Sequence, residues 1–62
     1  MSNNDIDIQQ VKDVIQAEVL FQEGKQLMDK GKLEKARQKF QNAYDINPEP
    51  EYLKYIRLTT LH

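Results

Sequence analysis

An all-α fold of three helices is what this chain predicts, and three observations predict it. Between Asp5 and Lys30 there is no Pro and only one Gly, Gly24. After Gly31, apolar or small residues Leu33, Ala36, Phe40, Ala43 and Tyr44 recur at intervals of three and four, the period of a helix face. Asn47-Pro48-Glu49-Pro50 then interrupts the pattern, because a residue before Pro is pushed out of the helical region.

The first four residues are polar and are expected to be disordered, with Asn4 or Asp5 as N-cap and Asp5 and Asp7 near the positive end of a helix dipole. The first helix is read as 5–30, ended by Gly31 in a left-handed cap. The alternative is a separate short helix over 6–16 that folds back. On the continuous reading, Ala17, Leu20, Gly24 and Leu27 form the stripe that meets the next helix, at 100° per residue. Val14, Phe21, Lys25 and Met28 lie beside it. Ile8, Val11, Ile15 and Val19 lie well round the cylinder, so this helix has apolar residues for more than one neighbour.

The second helix is read as 32–46. Its other face, Glu34, Lys35, Arg37, Gln38, Lys39, Gln41 and Asn42, is a solvated surface. The third, short helix is read as 51–61 with Tyr52, Leu53, Tyr55 and Ile56 on the covered arc, while Leu58 and Leu61 share the opposite side with Lys54 and Arg57. The expected core is Leu20, Gly24, Leu27, Leu33, Ala36, Phe40, Ala43, Tyr52, Leu53 and Ile56. Small Gly24, Ala36 and Ala43 allow the hairpin helices to approach, and Phe40 fills the space beside them.

Leu20-x2-Glu23-Gly24-x2-Leu27, then Ala36-x3-Phe40, Ala43 and Pro48 resembles a tetratricopeptide repeat over residues 17–50. Leu20 and Leu27 stand where the family has Trp and Tyr, and Glu23 places a charge where Leu is usual. The resemblance implies one domain, 1–62, made of a helix-turn-helix hairpin with a capping third helix. It also implies a module that binds another protein or peptide. In the family's register the ligand-facing positions fall on Glu18, Phe21, Lys25, Met28 and Asp29. With Phe21 at one Lys or Asn position and no Asn beside Lys25, a carboxylate clamp is not expected. What remains is a partner-binding groove of Val14, Phe21, Lys25 and Met28, or the same strip buried by the third helix or by another copy.

Composition excludes several other functions. There is no Cys and the one His is His62, so neither a disulfide nor a structural metal is expected. Nine basic and ten acidic residues, net charge −1, leave no electrostatic surface for nucleic acid or anionic lipid. No signal-like segment and no long apolar run is present, so a cytoplasmic protein off the membrane is expected. Hydroxyls are confined to Ser2, Thr59, Thr60 and the tyrosines, with no internal His or Cys to pair with them, so no enzyme and no cofactor is expected. Glu49 and Glu51 beside the prolines belong to helix-end electrostatics. Repeat modules normally need about three units to bury a continuous core, so either the chain is a fragment or it finds its missing neighbours in another molecule; in the second case the stripe Ile8, Val11, Ile15 and Val19 is the expected interface of a homodimer.

Overall fold

The computed structural model describes the backbone of residues 2–61 and the side chains of residues 8–61. Three helices follow one another: α1 over Ser2–Asp29, α2 over Leu33–Ile46 and α3 over Pro50–Thr60. Helix α1 is continuous, so no segment over 6–16 folds back. It begins earlier than Asp5, and residues 2–4 are helical. Met1, and the capping and dipole roles of Asn4, Asp5 and Asp7, lie outside the described backbone or side chains.

The first turn is built as the sequence demands. Gly31 has φ 80, a left-handed conformation open to Gly at little cost. Around it the Lys32 N–H donates to the Leu27 carbonyl at 2.9 Å and the Gly31 N–H to the Met28 carbonyl at 2.9 Å. Those paired bonds satisfy carbonyls that the end of α1 would otherwise leave without partners. The second break differs. Asn47 is extended and Glu49 is extended before Pro50, which enters α3 in its first turn, where a missing N–H costs nothing.

The hairpin closes on Gly24. A Cβ placed there would lie 2.6 Å from Phe40 Cε1 and 2.8 Å from Cδ1, so the Phe40 ring sits where a side chain on α1 would be. Ala17, Phe21, Ala36, Phe40, Ala43 and Tyr52 are the buried apolar core, with Leu20, Leu27, Met28, Tyr44, Ile46, Tyr55 and Ile56 packed partly buried against it. Leu33 is also half-buried. Two corrections follow for α3. Leu53 is exposed (36%), at the outer edge of the arc, while Thr59 is buried in its place. The Thr59 hydroxyl is satisfied within its own helix, lying 2.9 Å from the Ile56 carbonyl and 3.1 Å from that of Tyr55. The interval from Tyr52 to Thr59 is two full turns, which puts both on one line.

Helix α1 has 28 residues and α2 has 14; at 1.5 Å per residue they are about 42 and 21 Å long. The N-terminal half of α1 therefore extends past its partner. The radius of gyration is 13.1 Å and the molecule measures 48 × 17 × 13 Å, whereas a compact chain of this length would have a radius near 11 Å.

Candidate interaction surface

Phe21 is not open to a ligand. It is 2% exposed, and its ring lies 4.8 Å from that of Tyr52, 5.6 Å from Phe40 and 5.0 Å from Tyr55, the last at 89°. Tilted and edge-on rings at such distances are mutually attractive. The physical reason for this correction is α3, which lies over the hairpin and takes Phe21 as its anchor. The expected groove is thereby divided. Met28 packs partly buried against the core. Lys25 is half-buried, with Nζ 5.2 Å from the centre of the Phe21 ring and 5.9 Å from that of Tyr55. Only Val14, of the four expected groove residues, is largely uncovered.

Val14 instead joins the residues expected at the oligomer interface. Val11, Val14 and Ile15, with Gln10, line an open hollow of about 420 Å³ on α1. Ile8, Val11, Val14, Ile15 and Val19 are each between 49% and 58% exposed. A second hollow of about 340 Å³, lined by Gln10, Asp13, Val14, Ile46 and Asn47, adjoins it where α2 ends. The two sets of site residues that the sequence separates therefore meet along one surface. Gln10, Asp13, Ile46 and Asn47 were not foreseen. The signal was available: with the turn at Gly31, residue 46 falls opposite about residue 16.

Polar groups along the border of α3 are quiet. Glu18 accepts hydrogen bonds from Gln22 Nε2 at 2.7 Å and from the Tyr52 hydroxyl at 3.5 Å. Burial first, and then the carboxylates of Glu18, Glu49 and Glu51, hold the Tyr52 hydroxyl above its ordinary pKa of 10.0, because each disfavours the phenolate. Glu23, the charged departure from the repeat pattern, forms an ion pair with Lys39 of α2 at 3.0 Å. Asp29 is exposed. Among the described residues no group of three His, Asp or Glu side chains could hold a metal ion, and no helix is long and apolar enough to cross a membrane.

No curated protein and no solved structure matches the chain. The tetratricopeptide repeat model matches residues 17–50, more than half of it. That match spans the close approach of Gly24 to Phe40, the Gly31 cap and the Pro48 break, and the chain belongs to the tetratricopeptide repeat family.

Proposed function

We propose that this protein is a non-catalytic interaction module whose contact surface is the uncovered half of α1. Tetratricopeptide repeats generally mediate protein–protein interactions, and one observation supports this surface for that role. Five β-branched residues, Ile8, Val11, Val14, Ile15 and Val19, stand about half exposed around an apolar hollow on a helix that its own hairpin leaves uncovered. Contiguous apolar surface of this kind marks an interaction site in a soluble protein. Its occupant is a polypeptide with an apolar helical face, since a hollow between residues one turn apart receives side chains projecting at the same interval.

Val14 belongs to this surface, while Phe21 acts beneath α3 as support, with Lys25 over its ring and Met28 packed against the core. The test is photo-cross-linking in the cell that naturally makes the protein. A photoreactive residue at Val14 is expected to give discrete adducts, and one at Gln38 on the exposed face of α2 is expected to give none. Equal labelling at the two positions, or no adduct at Val14, would overturn the assignment of this surface.

A further inference from the structure

We infer that the partner of this surface is a helix of another protein that carries Lys or Arg beside its apolar face, with those cations set against the carboxylates that border the two hollows. The inference rests on the interaction reading above and names the chemistry of the partner. Asp13 lines the second hollow itself, together with Val14 and Asn47. Glu18 is four residues beyond Val14, one turn along the same face of α1. Glu49 follows Asn47 by two residues, and Glu51 stands in the first turn of α3. After burial, it is the Glu18, Glu49 and Glu51 carboxylates that raise the pKa of the Tyr52 hydroxyl, and no cation opposes them, so the three lie together at this border. Within residues 8–19 the one cation is Lys12, two residues from Val14 and therefore about 160° round the helix. Among the described residues the single ion pair joins Glu23 to Lys39, so none of these four carboxylates is paired with a cation there.

This border decides what can cover the apolar residues. A partner that seats apolar side chains in the hollows draws water away from the carboxylates around them, and a cation on the partner offsets that loss where a neutral or acidic group does not. Lys and Arg also suit the place sterically. Their aliphatic stems can lie along exposed Val11, Val14 and Ile15 while the charged ends reach outward to the rim. The same charges disfavour a second copy, because a two-fold pair would bring two such acidic borders into one interface. Each exposed charge pair changes affinity by about 1.5- to 5-fold, so several together give on the order of tenfold.

The probe is a displayed library of helices with Leu at intervals of three and four on one face and Lys, Glu or Gln allowed at the positions beside it, selected against the whole chain in about 50 mM salt. Selected helices are expected to carry Lys beside the Leu face. As synthetic peptides they should shift the amide signals of residues 10–18, Ile46 and Asn47, and should bind about tenfold more weakly in about 500 mM salt. Against a chain carrying Asp13→Asn, Glu18→Gln, Glu49→Gln and Glu51→Gln together, the preference for Lys should disappear while binding persists. If that chain does not fold, Glu49→Gln with Glu51→Gln alone should reduce the preference. Helices that carry Lys and Glu equally and still shift residues 10–18 overturn the inference and leave the interaction reading standing. A preference for Lys that survives the neutralised carboxylates overturns it as well. If no helix is selected and Val14 gives no adduct, both fail. A chain that sediments as a dimer by itself and becomes a monomer on Val14→Glu overturns the inference in favour of a second copy.

Discussion

Gly24 shows how one missing methyl group governs the hairpin. In an exposed helix Ala is about 1 kcal/mol better than Gly, but here a Cβ would stand 2.6 Å from the Phe40 ring. Overpacking of that kind costs about 1–3 kcal/mol, and a buried ring cannot swing clear as a flexible chain end could. Gly24→Ala should lose up to about 2 kcal/mol net, read by urea denaturation; a gain in stability would mean that the helices are not this close. Tyr52 supplies the pH response. Its folded pKa is raised, so its contribution to stability is complete below the unfolded value near 10 and is lost as pH rises through the folded one. Denaturation midpoints should fall as pH rises above about 10, and Tyr52→Phe should flatten that part of the slope. An unchanged slope would remove Tyr52 as the cause. Both residues were legible to different degrees. Gly24 carried a spacing signal, whereas the neighbours of Tyr52 depend on how α3 lies across α1.

At the scale of elements, the helices were legible because their boundaries are local chemistry. Gly31 and the two prolines act through the φ of a single residue, and no distant contact is needed to read them. Gly31→Ala should cost about 1–2 kcal/mol, since Ala must adopt φ near 80 with nothing packed within 4 Å to compensate. A melting temperature unchanged by this substitution would count against the cap. Which face of α1 receives α3 was not legible in the same way. Phe21, Lys25 and Met28 stand on a strip that either a ligand or the third helix could cover, and periodicity does not choose between them. The aromatic set decided it: Phe21 meets Phe40, Tyr52 and Tyr55. Phe21→Ala should consequently cost about 3–5 kcal/mol and reduce helicity. Retained melting would restore Phe21 to a ligand face. Leu53 was misplaced for a related reason, since an arc drawn on α3 alone cannot tell which of its edges the hairpin reaches. Glu23 resolves a tension in the repeat pattern through its ion pair with Lys39, both about half exposed. Such a pair contributes only about 0.2–1 kcal/mol, so it accommodates the charge and does little for stability.

Over the whole molecule, a short core supports a long first helix. Among the described residues Phe40 is the one large side chain that is fully buried, and Phe40→Ala, at about 3–5 kcal/mol, should unfold a domain of this size. The mismatch between a 28-residue and a 14-residue helix also fixes how the particle moves. At 48 × 17 × 13 Å it is closer to a rod than a sphere, and backbone N–H bonds in a helix point along its axis. Rotation about the long axis leaves bonds in that direction unmoved, so amides of α1 sense mainly the slow end-over-end reorientation. Their nitrogen transverse relaxation should be faster than the rate expected for a sphere of the same mass, even in the monomer.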